Sequence, residues 1–538
     1  MTATIRKKSP KRNGRKTRER NRKKTRERNC RILNERRRRI LKRIENRPGP
    51  ERDQPMMTAT NIHYELADRV QGLSAGGIGA LLLLARKTGL ISAIDSKVHV
   101  LKRHLPYHES DHVLNMAFNI LAGGKRIEHI ELRRNDEVYL DALGAQRVPD
   151  PTTTGDFCRR FRESDIMNLT DAFNQTRKGV WAEQPPEFFD LAILDADGTL
   201  VETDAECKQG IDIGYDGTWG YHPLLISLAN TAEPLFLVNR SGNRPSQEQA
   251  DVYLNKAVDL CRGAGFRKML LRGDTKFTQT RHLDRWDDAG DVRFIFGYEA
   301  HESLKALAED LPAGAYSFLE RAPRYEIQTV PRQQPERVKP EIVKRRGFET
   351  IHVLEEMIAE FNYRPVACNR EYRVIVLRKR LGIDKGQMRL FEEYRYFFYI
   401  TNDHEMTAEE EVVVFSANNR CDQENLIAQL KSGVHALTTP VDDLVSNWAY
   451  MVIASLAWSL KAWSALIIPV SPRHAAKHKA EKRTLLRMEF STFCAAMIQM
   501  PCQIVKSGGR LIYRLLSWNP WQGAFLRLVE RLQGCWLC

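Results

Sequence analysis

Two segments of the chain share one plan, an apolar run followed at once by an acid and a glycine turn. The first, Leu191–Thr199, contains Asp195 and Asp197, and the second, Lys268–Phe277, contains Asp274. Each run predicts a short buried strand that presents a carboxylate at the carboxyl edge of a sheet, where open α/β folds place their ligands. The chain is therefore constrained to an α/β fold in which two strand-end acids converge.

A third acid lies on a helix-like stretch, Arg420–Lys431. Its residues Arg420, Glu424 and Lys431 are four and seven positions apart, so at about 100° per residue they project within roughly 40° of one another. Taken alone, this pattern fits either a solvated ion pair between neighbouring turns or a metal ligand beside a phosphate backbone. The two strand-end acids favour the second interpretation.

Three converging carboxylates indicate a particular chemistry. Hard divalent cations bind oxygen ligands, and Mg²⁺ keeps positions free for water and substrate phosphate. Two ions about 4 Å apart activate the attacking oxygen and stabilise the leaving one in a displacement at phosphorus. The set predicts phosphodiester chemistry on a nucleic acid.

The positive charge of the chain is concentrated in its first 55 residues. The chain has 538 residues and a formal charge of +15, and residues 1–55 carry 23 Lys and Arg against six Asp and Glu, a local +17. With few apolar residues, this tail is expected to be disordered in isolation, to become helical on a polyanion, and to bind DNA, RNA or an anionic surface. The alternative is that Met56 or Met57 begins the natural product.

Cysteine usage and hydropathy predict a cytoplasmic protein that does not enter a membrane. The ten cysteines form no disulfide or zinc framework, which suits a reducing compartment. The stretch Trp448–Val470 is apolar enough to be considered as a membrane span, but Lys461 near its middle favours a buried helix.

The order of predicted elements is that of an α/β, ribonuclease H-like core: three strands, a helix, the strand ending at Asp274, a fifth strand, and later the helix carrying Glu424. A strand-rich insertion interrupts this core, and helical regions flank it. The predicted domains are a basic disordered tail (1–55), a helical DNA-binding domain (56–185), the catalytic core (186–297 and 406–440), the insertion (298–405) and a C-terminal helical region (441–538).

These residues resemble the DDE transposases of bacterial insertion sequences, and within them the family of insertion sequence thirteen-eighty. That family follows its two aspartates with a Tyr-(2)-Arg-(3)-Glu-(6)-Lys signature. Arg420, Glu424 and Lys431 match its last three positions, whereas Ala417 occupies the tyrosine position. The segments Gly220–Leu224 and Gly242–Pro245 are also similar to the family.

The resemblance implies cut-and-paste transposition with two Mg²⁺ or Mn²⁺ ions held by Asp197, Asp274 and Glu424. Asp195 is a rival to Asp197, because residues two apart on a strand share a face. Arg420 and Lys431 are expected to contact the DNA backbone.

Further expectations concern the partners and the location. Arg244 and Arg272 are also expected to contact DNA. The implied partners are the terminal inverted repeats of the transposon, target DNA and a second copy of the chain, in the cytoplasm of a bacterium at the nucleoid. The alternatives are a ribonuclease H-like nuclease that cuts without joining, and a catalytically inactive DNA-binding protein.

Overall fold

A computed structural model describes residues 11–45, 59, 62–67, 70–104, 106–319, 338–385, 388–409 and 423–534. The helices of these ranges are α1 (Lys11–Glu45), α2 (Ile78–Lys87), α3 (Leu90–Lys97), α4 (Glu109–Leu121), α5 (Ile130–Arg134), α6 (Glu137–Leu143), α7 (Pro151–Cys158), α8 (Glu163–Trp181), α9 (Ala250–Arg262), α10 (Leu283–Asp288), α11 (Glu302–Glu309), α12 (Val338–Arg345), α13 (Gln423–Ala428), α14 (Leu444–Ile467), α15 (Ala475–Arg487), α16 (Phe490–Phe493) and α17 (Gln522–Gln533). The strands are β1 (Gly72–Leu73), β2 (Leu191–Gly198), β3 (Val201–Glu202), β4 (Asp212–Ile213), β5 (Trp219–Tyr221), β6 (Leu224–Leu228), β7 (Glu233–Val238), β8 (Lys268–Gly273), β9 (Val292–Tyr298), β10 (Ser317–Phe318), β11 (Glu349–Tyr363), β12 (Tyr372–Lys385), β13 (Met388–Thr401), β14 (Cys502–Ser507) and β15 (Arg510–Leu515).

The predicted α/β fold is confirmed by a large mixed sheet with helices around it. In the described chain this sheet runs in the order β10-β11-β12-β13-β9-β8-β2-β6-β7. Strands β2, β8 and β9 are parallel, while β6 runs antiparallel beside β2 and β7 antiparallel beside β6. The five-strand part that ends at β9 and β7 has the strand order expected of a ribonuclease H-like core.

The strand-rich segment after β9 extends this same sheet, which the sequence did not predict. Strand β13 pairs with β9 from Phe398↔Tyr298 to Thr401↔Ile295, and β12 and β11 follow outward. The pairing gives hydrogen-bond partners to the backbone along the outer edge of β9, which would otherwise be an open sheet edge. The strand expected at Tyr325–Val330 lies outside the described residues.

Helices dominate the chain before the sheet, as expected. Helix α4 ends at Leu121, and Gly123 follows it with φ of +97°, a conformation that other residues rarely adopt. After the sheet, α14 is the one described helix long and apolar enough to cross a membrane, and it is wholly buried within the fold. It is therefore the core helix that the sequence predicted.

Two terminal features differ from expectation. The basic tail is helical over Lys11–Glu45 rather than disordered, since Arg, Lys and Glu are good helix formers. Arg36 in this helix donates hydrogen bonds to the carbonyls of Leu515 (3.1 Å) and Ser517 (2.9 Å). In the C-terminal region, strands β14 and β15 form a hairpin in addition to the predicted helices.

A buried ion pair joins the sheet to the helices on one of its faces. Arg177 of α8 donates from Nε to Oε1 of Glu233 on β7 (2.9 Å), and both side chains are buried. The indole N–H of Trp463 in α14 donates to the same oxygen (2.7 Å), and that of Trp181 in α8 donates to Oε2 (3.0 Å). One carboxylate thus binds three donors from two helices.

We predict that Glu233→Gln lowers the free energy of unfolding by about 3–5 kcal/mol, because it leaves the Arg177 guanidinium buried without its counter-charge. Urea denaturation of purified protein measures this loss. The matched control is Glu187→Gln, since Glu187 is exposed, and it should change stability by less than about 0.5 kcal/mol. Equal stability of the two variants would contradict the role given to the pair.

A lysine is buried in the middle of α14. Lys461 Nζ donates to the Leu486 carbonyl (2.8 Å) and lies 3.9 Å from the centre of the Trp458 ring. Burial lowers the pKa of Lys461 from 10.5 to about 7. Between these values the unfolded chain holds a proton that the folded chain lacks, so this group makes stability rise with pH.

We predict that Lys461→Met stabilises the protein by about 1–4 kcal/mol at pH 6, because the charged form of a buried group is removed. The gain should shrink as the pH is raised towards 10, where the folded protein already holds the neutral amine. Thermal unfolding across this pH range measures the effect. Lys477→Met on the exposed side of α15 is the control, and a gain independent of pH would contradict the assignment.

Candidate active site

Two aspartates lie next to each other at the carboxyl edge of the central sheet. Strands β2 and β8 are parallel, and their last paired residues are Ala196 and Gly273. Asp197 and Asp274 each follow by one position, so the register brings them side by side. The Asp274 carboxylate also accepts a hydrogen bond from the backbone N–H of Lys276 (2.9 Å), which fixes the turn after β8.

A second acid on β2 has a structural contact instead. Asp195 is paired in register with Arg272 of β8 and accepts two hydrogen bonds from its guanidinium, from Nε at 2.7 Å and from a terminal nitrogen at 2.9 Å. Both side chains are buried. The contact explains why Asp197, and not Asp195, is the better candidate ligand, because Asp195 already has a charged partner.

The third acid, Glu424, belongs to a short helix that is anchored to the sheet. Its neighbour Gln423 is buried, accepts a hydrogen bond from the Ser227 hydroxyl and donates one to the Leu225 carbonyl (3.2 Å), both on β6. Glu424 itself is exposed at the start of α13. After α13 the chain continues as a π-helical turn, Gln429–Gly433, that carries Lys431.

The charges of these groups act on one another. The pKa of Asp197 is raised from 3.8 to about 7, chiefly by burial and also by the nearby negative charges of Asp274 and Glu424. Lys431 is half-buried, and although burial lowers its pKa, the charge of Asp197 opposes that shift. The structure therefore brings Asp197, Asp274, Glu424 and Lys431 to one edge of the sheet.

The donor chemistry of this edge suits a hard divalent cation. Carboxylate oxygens are the ligands that Mg²⁺ and Mn²⁺ prefer. In the described part of the chain, however, no three His, Cys, Asp or Glu side chains are already grouped as a metal site. A closed ligand set would need the exposed Glu424 side chain to turn towards the two aspartates.

The loop that contains Gly242–Pro245 lies beside the aspartates. Arg240 is buried and donates to the carbonyls of His222 (3.0 Å), Ser246 (3.1 Å) and Glu248 (2.8 Å), so it fixes the whole loop. His222 lies against Gly198, where an added Cβ would stand 2.9 Å from its Nε2. The loop thus forms one wall of the site.

The remaining predicted residues have different positions. Arg272 does not have the DNA-contacting role we expected, because it is buried in the pair with Asp195. Arg244 is exposed on the loop beside the site, where it pairs with Glu248 at 3.5 Å. Arg420 and Ala417 lie outside the described residues.

The chain has the sequence of a transposase. A family model described as Transposase DDE domain group 1 matches residues 69–535. Since this match spans most of the chain, the chain belongs to the DDE transposase family, whose members generally depend on divalent metals.

The likeness to a solved structure is distant. A piggyBac transposase, determined by cryo-EM in a synaptic complex with hairpin DNA, is similar over 79% of this chain and 81% of that chain, with 10% identity and a TM-score of 0.35. No curated protein sequence matches the chain.

We predict that Arg272→Gln changes the stability of the protein, whereas Arg244→Gln changes its DNA binding. Arg272→Gln should cost about 3–5 kcal/mol of stability, because Asp195 stays buried and loses the positive charge of the guanidinium. Arg244→Gln should leave stability unchanged and reduce the dependence of DNA affinity on salt by about one unit of slope. Thermal unfolding and affinity measured at several salt concentrations test both. Normal stability of Arg272→Gln, together with a weaker dependence of its DNA affinity on salt, would show that Arg272 contacts DNA as the sequence predicted.

Proposed function

We propose that this transposase cuts DNA at transposon ends and joins the freed 3′ ends to a target, with Asp197, Asp274 and Glu424 holding two Mg²⁺ or Mn²⁺ ions. The observation that carries the proposal is the register of β2 and β8, which places Asp197 beside Asp274, with Glu424 close enough to contribute to the raised pKa of Asp197. When bound, the ions would activate the attacking oxygen and stabilise the leaving oxygen at phosphorus.

Basic residues around the carboxylates suit a phosphate backbone. Lys431 lies close enough to Asp197 for their charges to interact, and Arg244 is exposed on the adjacent loop. Their cations would position the phosphates on either side of the scissile bond, as phosphate contacts commonly do. We assign the same role to Arg420, four residues before Glu424, from its place in the family signature.

Buried polar contacts fix the backbone segments that carry the three acids. Gln423 ties the Glu424 helix to β6, and the Asp195–Arg272 pair fixes the strands that end at the two aspartates. Because the backbone is held this way, the reorganisation needed when ions and substrate bind is limited to side chains, chiefly that of Glu424.

We also propose a family, a host, an oligomeric state and a role for the basic helix. The matched part of the signature at Glu424 and Lys431 favours the family of insertion sequence thirteen-eighty and a bacterial host, with the protein acting at the nucleoid. A homodimer would pair two transposon ends. The helix α1, rich in arginine and lysine, would add affinity for DNA that does not depend on its sequence.

The test is an end-cleavage and strand-transfer assay with a labelled duplex of the terminal repeat, a supercoiled target plasmid and Mg²⁺. We predict that Asp274→Asn lowers cleavage by more than about 100-fold, the upper range for groups that only support a ligand, and retains end binding. Asparagine keeps the acceptor for the Lys276 N–H, so the turn should survive.

The control is Asp204→Asn, an exposed carboxylate that follows β3, which should cut normally. Normal cleavage by Asp274→Asn would show that the site is wrong. Cleavage without joined product in the wild type would instead support a nuclease, and binding without cleavage would support an inactive DNA-binding protein.

A further inference from the structure

The helix that carries Glu424 does not continue as a regular α-helix. After α13 it widens into the π-helical turn Gln429–Gly433, and the Val434 N–H donates to the Gln429 carbonyl at 2.8 Å, five residues earlier. Such turns are rare and often lie at functional sites, because neighbouring structure must compensate for their less favourable backbone. The contacts that hold this turn therefore bear on how Lys431, inside it, is placed.

The backbone that follows the turn has a conformation that its own sequence does not favour. His435 has φ of +55°, in the left-handed region that residues other than glycine seldom adopt. Its carbonyl accepts hydrogen bonds from the hydroxyls of Tyr450 in α14 (3.0 Å) and of Thr438 (3.1 Å). Contacts from outside the turn thus fix the chain on the C-terminal side of Lys431.

The beginning of the turn is tied to the C-terminal region by one side chain. Gln429 accepts at Oε1 a hydrogen bond from the backbone N–H of Phe490, at the start of α16 (2.9 Å). The first N–H groups of a helix have no partner within it, so this donor is available to a side chain. Phe490 is buried, and its ring stacks with that of Trp458 in α14. The turn is therefore attached to a fixed point of the fold.

Glycine at position 433 leaves the room that this contact needs. A Cβ added there would stand 2.9 Å from Gln429 Oε1 and 3.1 Å from the Phe490 Cβ. The carboxamide of Gln429 is thus packed between the turn and α16, and an alanine at position 433 would push it out of the contact.

Lys431 lies between these two attachments, two residues after Gln429. It is half-buried and close enough to Asp197 for their charges to interact. A lysine side chain is long and flexible, so its direction depends on the backbone that carries it and on what packs against its stem. Glu424 has a different support, because its neighbour Gln423 binds β6. The acid and the cation are therefore held by separate parts of the fold, the sheet and the C-terminal region.

We propose that Gln429 is a positioning residue, which holds the π-helical turn against α16 so that Lys431 faces Asp197 and the DNA phosphate beside it. The proposal rests on the proposed function, which gives Lys431 its phosphate contact. Gln429 acts through Lys431 and takes no part in the chemistry. Without its contact to Phe490 the turn relaxes, and the lysine spends less time at the phosphate.

The test is a double-mutant cycle on the full chain, measured by binding and cleavage of the terminal-repeat duplex. Gln429→Met keeps the length of the side chain and removes the acceptor, whereas Lys431→Gln removes the cation. We expect each to lower cleavage by about 10- to 100-fold, the range for residues that orient a ligand. Each should also reduce the dependence of affinity on salt by about one unit of slope, as for one lost phosphate contact. The double variant should match Lys431→Gln alone, because the effect of Gln429 passes through the lysine.

Further variants separate this role from a general loss of structure. Gly433→Ala displaces the flexible carboxamide of Gln429 and should reproduce the effects of Gln429→Met. Gln429→Glu keeps an acceptor for the Phe490 N–H and should retain most of the cleavage. The matched control is Gln499→Met, since Gln499 is an exposed glutamine of the C-terminal region, and it should behave as the wild type. All variants should unfold within about 4 °C of the wild type, because at most one hydrogen bond is lost.

The proposal is overturned if Gln429→Met keeps the wild-type salt dependence while Lys431→Gln reduces it, or if the two losses add in the double variant. It is also overturned if Lys431→Gln changes neither cleavage nor salt dependence, since there is then no contact to position. Absence of cleavage by the wild type is a different result, because it refutes the proposed function of the carboxylates. The salt dependence of binding then still decides the role of Gln429.

Discussion

The buried pair of Asp195 and Arg272 is the contact on which the candidate site depends. Two charges removed from water are expensive unless each satisfies the other, and here the guanidinium binds both oxygens of the carboxylate between adjacent parallel strands. Sliding β2 against β8 by one residue would separate the pair and move the following side chains to the other face. The cost of that separation fixes the register, and the register sets Asp197 beside Asp274.

The rest of the site is assembled from segments that are far apart in the chain. Gln423 contacts the sheet at β6, and Arg240 closes a loop by donating hydrogen bonds to the carbonyls of four other residues. Each uses a buried polar side chain to hold backbone rather than to contact substrate. Such contacts stabilise because the alternative is an unsatisfied polar group in the interior. Buried residues that carry no catalytic role therefore support the acids at the carboxyl edge of the sheet.

Sequence reasoning was strongest where the signal is local. The strands ending at Asp197 and Asp274 were found because an apolar run followed by an acid and a glycine needs no knowledge of the rest of the chain. The role of Arg272 was missed because its partner is 77 positions away, and the extension of the sheet by β13 was missed for the same reason. The hairpin at Gly508 and Gly509 was also missed, although its signal is local, since a pair of glycines between two apolar runs commonly marks a turn.

The π-helical turn at Gln429–Gly433 alters how the spacing between Glu424 and Lys431 should be understood. Seven residues of regular α-helix would align the two side chains, but a π turn is wider and changes the angle at which later residues project. The six-residue gap of the family signature is therefore a description of an irregular helix. A homologue with one residue more or fewer in this turn would keep the same amino acids and direct its lysine to another part of the DNA.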